Sequence, residues 1–262
     1  MNSITPPDPW TELRTHTNAR IALGRSGASL PTTELLRFGV AHAQARDAVH
    51  LPFDACAIQQ NLLANGFETI EVESAAVDRA TYLRRPDFGR RLSMRSRELL
   101  TSIETSASDV LFVVGDGLSS KAVHRNAQAL LLELRPRMEV AGLRIGPVVL
   151  AHQARVALGD EIGELLRTRL VVMLLGERPG LSSSDSLGAY LTWTPHVGRS
   201  DAERNCVSNI RSDGLAVTEA AAKIAWLITA ANQLEATGVR LKDESETASI
   251  PAPVGQAHIL PS

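Results

Sequence analysis

Apolar runs and apolar stripes divide this chain into recognisable elements. Residues 170–175 are all apolar, a run with the length of a buried strand and too short for an ordinary helix. The run stops at Gly176-Glu177-Arg178-Pro179-Gly180 and gives way to a serine-rich loop holding Ser182, Ser183, Ser184, Asp185 and Ser186. Residues 110–114 form a second apolar run, ended by a Gly115-Asp116-Gly117 turn, and residues 147–151 form a third. Residues 67–74 and 188–194 alternate between apolar and polar, the pattern of half-buried strands.

Between these runs the apolar period lengthens to that of helices. Thr32 or Thr33 is expected to cap a long helix with Leu35, Phe38, Ala41 and Ala45 on one stripe, ended by Leu51-Pro52. Asp54 is expected to cap a second, with Ile58, Leu62 and Leu63 apolar and Gly66 as its stop. Residues 93–101 read as a helix, and another starts near Ser119 with Val123, Ala127, Leu130, Leu131 and Leu134 inward. Residues 155–169 read as a helix with Val156, Ile162, Leu165 and Leu166 inward. Gly163 lies inside it, at a cost of about 1 kcal/mol relative to Ala unless something packs closely there. Thr218 is expected to cap a last helix through Ile224, Leu227, Ile228, Ala231 and Leu234, ended by Gly238. Residues 1–8 read as loose, 9–16 as a short amphipathic turn anchored by Trp10 and Leu13, and 201–214 as a polar loop holding Cys206.

Apolar strands separated by helices imply a parallel sheet with right-handed crossovers. The expected fold class is α/β: a Rossmann-like parallel-sheet domain over residues 108–242, preceded by a smaller, mainly helical N-terminal region over residues 1–107. Residues 243–262 are Ser/Glu/Pro-rich without a period and read as a disordered tail. In such sheets ligands bind past the carboxyl ends of the strands, which places the loop 176–186 at the candidate site.

Composition narrows the function. Among 262 residues, 44% are hydrophobic but only 4% aromatic, so the core is built from Ala, Leu, Val and Ile. The formal net charge of −2 argues against a nucleic-acid partner. Cys56 and Cys206 stand far apart with no CxxC pair, which suggests neither a zinc site nor a disulfide framework and points to a reducing cytoplasm. The N-terminus lacks the charged start and apolar run of a secretory signal, and no stretch is long and apolar enough to span a bilayer, so a soluble protein is expected.

No motif carries catalytic chemistry by itself. Gly24 and Gly27 stand too close for a P-loop and no Lys follows. Gly115-Asp116-Gly117 followed by a helix start offers free N–H groups for one phosphate, but Ser120 replaces the third glycine of a dinucleotide fingerprint. His42 and His50 lie eight apart and read as polar-face or interface histidines, with no metal site implied. Arg84, Arg85, Arg90 and Arg91 suit a phosphate or carboxylate partner, or a solvated or subunit-contacting loop. Cys206 reads either as a nucleophile partnered by His196 or His152, or as a packing or ligand-contact thiol. On residues alone the chain is a Rossmann-like nucleotide- or phosphate-ligand-binding protein of unknown substrate, with a partner supplying the missing chemistry.

Six blocks, in order, carry a resemblance: residues 19–54 (ARIALGRSGASLPTTELLRFGVAHAQARDAVHLPFD), 81–92 (TYLRRPDFGRRL), 112–127 (FVVGDGLSSKAVHRNA), 157–163 (ALGDEIG), 176–181 (GERPGL) and 203–210 (ERNCVSNI). Together they resemble the small-subunit family of ethanolamine ammonia-lyase, and the likeness extends from Pro9 to about Lys242. The resemblance implies a partner, a TIM-barrel large subunit that binds ethanolamine. It implies a cofactor, adenosylcobalamin, whose cobalt–carbon homolysis starts a radical conversion of ethanolamine to acetaldehyde and ammonia. It places cobalamin contacts at Val156, Glu177 and Cys206, and no catalytic residue on this chain. Glu177 suits the amide groups that rim a corrin, Val156 its apolar face or base, and Cys206 a close uncharged approach. Gly115, Gly117 and Ser119 are weaker candidates facing the nucleotide loop. Only about eight residues precede the start of the likeness at Pro9, where some family members carry an extension that directs them to a bacterial microcompartment, so plain cytoplasm is the expected location.

Overall fold

The computed structural model describes residues 8, 10–17, 19–104 and 107–245. The loose start expected over residues 1–7 and the tail expected beyond residue 245 lie outside them. Among the described residues the chain forms six strands and seven α-helices. The strands are β1 (Thr69–Glu73), β2 (Val110–Gly115), β3 (Val148–His152), β4 (Leu170–Gly176), β5 (Leu187–Trp193) and β6 (Arg204–Ile210). The helices are α1 (Thr32–His50), α2 (Ala55–Ala64), α3 (Arg79–Arg84), α4 (Met94–Ser102), α5 (Ser120–Val140), α6 (Leu158–Leu165) and α7 (Val217–Leu234). None is long and apolar enough to cross a membrane.

All strands join one sheet in the order β1-β3-β2-β4-β5-β6. The first four run parallel, as the helix-separated apolar runs require. β2 and β4 are buried at every position, which is why they read as unbroken apolar runs. β5 and β6 turn back antiparallel, so the sheet is mixed rather than wholly parallel. The loop 177–186 joins β4 directly to β5, and without a crossover helix neighbouring strands must reverse.

One core lies between the sheet and α2, α5 and α7, with Phe112, Leu130, Leu134, Leu174 and Leu227 fully or almost fully buried. A smaller core lies on the opposite face, where α4 and α6 bring Leu100, Leu158 and Ile162 against Leu111, Val113 and Met173. Asp54, Ser93 and Ser119 cap α2, α4 and α5 by accepting from the amides of Ala57, Ser96 and Ala122.

Several expectations need correction. The polar stretch 201–214 contains β6, whose Arg204, Val207 and Ile210 are buried while Cys206, Ser208 and Asn209 face out. A shifted register against β5 and a buried arginine hide the two-residue alternation there. α1 is preceded by Pro31 and α7 by Ala216, neither with a side-chain cap, so Thr32 and Thr218 stand inside their helices. α6 is shorter than expected and leaves Val156 in the loop before it. On α1 only Ala41 and Ala48 are buried, while Leu35 (60%), Leu36 (65%) and Phe38 (44%) are exposed. Trp10 and Leu13 are likewise exposed.

Gly163 has the close packing that its place in a helix demands. A methyl built there would stand 2.5 Å from Pro195 Cγ and 2.7 Å from Val171 Cγ2. Gly163→Ala, ordinarily stabilising in a helix, should instead cost about 1–3 kcal/mol through overpacking, read as a lowered urea midpoint. A midpoint unchanged or raised would show that α6 and Pro195 can part freely.

Candidate functional site

The site is built where β2, β3 and β4 end. After β2 comes Asp116, 2% exposed, whose carboxylate accepts from the Ala154 amide at 3.0 Å and from Arg79 Nη1 at 3.2 Å. Burial pushes this carboxyl up, and the Ala154 amide and Arg79 oppose that shift. Arg79 also donates to Val49 O at 2.7 Å and Gly117 O at 2.8 Å, tying the end of α1 to the turn. The Tyr82 hydroxyl donates to Ala154 O at 3.0 Å, with the guanidinium groups of Arg79 and Arg155 over its ring at 4.7 and 4.2 Å. Gln153 holds a left-handed φ of 53°, a conformation that costs energy outside glycine. Asp116 and Tyr82 thus shape residues 153–156, the segment that carries Val156.

The Gly115-Asp116-Gly117 turn serves the chain's own loop. A methyl on Gly117 would lie 2.3 Å from Gly176 O, and one on Gly176 would lie 2.0 Å from Ser119 O, so these backbones touch. The Leu118 amide donates to Gly176 O at 2.8 Å. Ser119 Oγ donates to Ser184 O at 2.8 Å, and Lys121 Nζ donates to Ser184 Oγ at 3.0 Å. Asn126 holds Asp185 O at 2.9 Å, and Arg125 pairs with the Asp185 carboxylate. The loop 177–186 therefore roofs the start of α5, where a free anion site was expected. Of the three weaker candidates, Ser119 meets this loop, Gly117 meets Gly176 just before it, and Gly115 packs against Ala154 and Leu175.

Glu177, next after β4, turns away from that roof. One carboxylate oxygen accepts from Ser186 Oγ and from the Asn209 amide at 3.2 Å, while the other lies over Gly188. Tyr190 of β5 and Cys206 of β6 stand opposite each other in register. Burial pushes the Tyr190 hydroxyl up, and the neighbouring Cys206 and Glu177 push it further. Crowding around its sulfur pushes the Cys206 thiol up as well, with Glu177 adding to the shift. Both groups are therefore neutral near pH 7. Cys206 Sγ lies 3.3 Å from Ser208 Oγ, and its nucleophile reading finds no partner: His196 meets Thr194 O and His152 meets Glu71.

The structure thus joins Glu177 and Cys206 through Tyr190, Asn209 and Ser186. Val156 lies on the same side of the sheet, since it and Tyr190 pack against the same smaller core. Tyr190 and Asn209 escaped the sequence reading, while Ser186 was placed at the site only as part of the serine-rich loop. For Tyr190 a signal existed: the alternation of 188–194 puts it on one face with Gly188 and Thr192. For Asn209 none did, because β6 was not legible.

These features define a mixed α/β protein that presents a carboxylate, a phenol and a thiol side by side over β5 and β6, next to the carboxyl end of β4. Residues 7–242 match the family model described as ethanolamine ammonia-lyase light chain. Relatives named ethanolamine ammonia-lyase small subunit include one from Xanthomonas campestris pv. campestris, 52% identical over 92% of this chain and 90% of its own length. One from Bradyrhizobium diazoefficiens is 54% identical over 92% of each chain. Another, from Pseudomonas fluorescens strain Pf0-1, is 49% identical over 96% of this chain and 93% of its own. The chain belongs to the ethanolamine ammonia-lyase light-chain family, and is by that membership a subunit of a carbon–nitrogen lyase.

Removing the charge of Asp116 tests the site's foundation. Asp116→Asn leaves Arg79 as a part-buried charge without its carboxylate, and should cost about 3 kcal/mol in urea unfolding. A loss below about 0.5 kcal/mol, the range of ordinary surface changes, would remove Asp116 from this role.

Proposed function

We propose that this chain is the small subunit of an adenosylcobalamin-dependent ethanolamine ammonia-lyase, which converts ethanolamine to acetaldehyde and ammonia by a radical mechanism. In this reading the chain closes the cobalamin site at the interface with a large subunit that holds ethanolamine and the catalytic residues. The observation that carries it is the shelf of Glu177, Tyr190 and Cys206, one acceptor carboxylate beside two neutral groups, on strands whose outer corner is open.

That chemistry fits a corrin. Its rim carries neutral amides, for which Glu177 offers an oriented acceptor and Tyr190 a hydroxyl. Its ring is broad and apolar, suited to Val156 and to a close approach at Cys206. When bound, the cofactor supplies the cobalt–carbon homolysis that begins the radical reaction. The chain's own residues orient the cofactor and exclude water. Ser119 contributes from behind by holding the loop 177–186, Gly117 by meeting Gly176 at its start, and Gly115 by packing against Ala154. A nucleotide- or phosphate-binding protein without cobalamin is not favoured, because the helix start it would use is roofed by Ser184.

α1 supports a large partner. Leu35, Leu36, Phe38 and Val40 are exposed on a helix that buries only two alanines, a face that costs free energy in water unless covered. We assign this N-terminal helical region to the large-subunit contact. The assembly belongs in a reducing cytoplasm, in keeping with two free cysteines.

Acetaldehyde release from ethanolamine with adenosylcobalamin should require both this chain and a large subunit from a relative. Silence in the mixture, with that large subunit active beside its usual partner, would overturn the assignment. Leu35→Asp combined with Leu36→Asp should abolish co-elution with the large subunit. It should change the chain's own stability by no more than about 0.5 kcal/mol, as for exposed positions. Retained co-elution would move the interface elsewhere.

A further inference from the structure

Asp160 and Arg204 form the most enclosed ion pair of the described residues, at 2% and 3% side-chain exposure. Arg204 Nη1 meets Asp160 Oδ1 at 2.5 Å, and Nη2 meets Oδ2 at 2.6 Å, a two-pronged fork between β6 and the first turn of α6. Nη1 also donates to Thr192 Oγ1 at 2.8 Å and Nη2 to Arg199 O at 3.0 Å. Arg204 Nε is buried without a hydrogen bond, 3.4 Å from the Asp201 carboxylate. Burial pushes the Asp160 carboxyl up, and the guanidinium opposes it. A pair so desolvated is a poor source of stability, since apolar residues of similar volume serve as well or better. What the fork adds is geometry, because it fixes distance and orientation together.

The pair spans the candidate site. Arg204 and Cys206 are two apart on β6 and share a face. Asp160 follows Val156 by one short turn, closed by Leu158 N to Arg155 O at 2.9 Å and Gly159 N to Val156 O at 3.1 Å. The next residue, Glu161, points the other way and accepts from the Leu92 amide at 2.8 Å and from Arg97 Nε at 2.7 Å. α6 is thus gripped by adjacent carboxylates from opposite sides.

We propose that Asp160 and Arg204 are positioning residues that set the gap between Val156 and Cys206, and with it the width of the cofactor face. The proposal rests on the cobalamin reading above. Groups that hold ligating residues in place commonly change affinity by about 10–100-fold when altered.

The test uses three variants in complex with the large subunit: Arg204→Lys, Asp160→Asn and the apolar pair Asp160→Leu with Arg204→Met. Cyanocobalamin affinity should fall at least about tenfold in all three. The apolar pair should recover thermal stability without recovering affinity, which a merely structural role would not allow. A second readout needs no cofactor. In the full chain carrying Cys56→Ser and Val156→Cys, bis-maleimides of graded length should bridge positions 156 and 206 over a narrow range of lengths. Arg204→Lys should broaden that range. An unchanged range overturns the proposal. Native affinity in the three variants, while Glu177→Ala and Cys206→Leu lose it, also overturns the proposal and leaves the cobalamin reading standing. Native affinity in all five, with a broadened range, sinks the cobalamin reading and keeps the pair as the device that sets the gap.

Discussion

The contact between the β2 turn and the end of β4 governs the functional edge of this molecule. Gly117 and Gly176 meet backbone to backbone, with no room for a methyl on either. That approach lets the Leu118 amide take Gly176 O and sends the chain after β4 over the start of α5. Ser119, Lys121 and Asn126 then fasten the loop through Ser184 and Asp185. With the loop anchored there, Glu177 is left facing the opposite side, beside β5 and β6. A side chain at either glycine would part β2 from β4 and scatter every later position.

Buried charge is the second organising element. Asp116, Asp160 and Glu161 are all nearly inaccessible, and each is met by an arginine from a distant segment: Arg79, Arg204 and Arg97. Each pair crosses between elements that the sheet does not otherwise join. Asp116 ties β2 to the end of α1 and to the loop after β3, and the two carboxylates of α6 reach β6 and α4. Apolar packing alone would hold such elements together with more freedom to slide, because it lacks direction.

Much of this was legible in the sequence, and the failures have physical causes. The buried strands β2, β3 and β4 read directly from apolar runs, and the cap expected at Asp54 is present. β6 was hidden because its inward residues include Arg204, which looks like a surface residue until Asp160 is found opposite it, 44 positions away. The apolar stripe on α1 was legible, but what covers it was not, since periodicity cannot say whether the covering surface belongs to the same chain. The turn after β2 has the residues of an anion site, yet the Leu118 amide meets Gly176 O and the Ser119 hydroxyl meets Ser184 O, a pairing of segments that no local pattern reveals. Val156, Glu177 and Cys206 came from family likeness rather than from local chemistry.

The distribution of charge across the candidate site bears on what it can hold. Several nearby cations are engaged within the fold, Arg79 and Arg204 with buried carboxylates and Lys121 and Arg125 with the loop, while Arg178 beside Glu177 is exposed. The shelf retains a carboxylate, a phenol and a thiol, the phenol held neutral by burial and the thiol by crowding around its sulfur, with the carboxylate adding to both. The Glu177 carboxylate disfavours a polyphosphate and accepts N–H donors from a neutral ligand. The amide-rimmed, largely apolar ring of the proposed cofactor suits those terms.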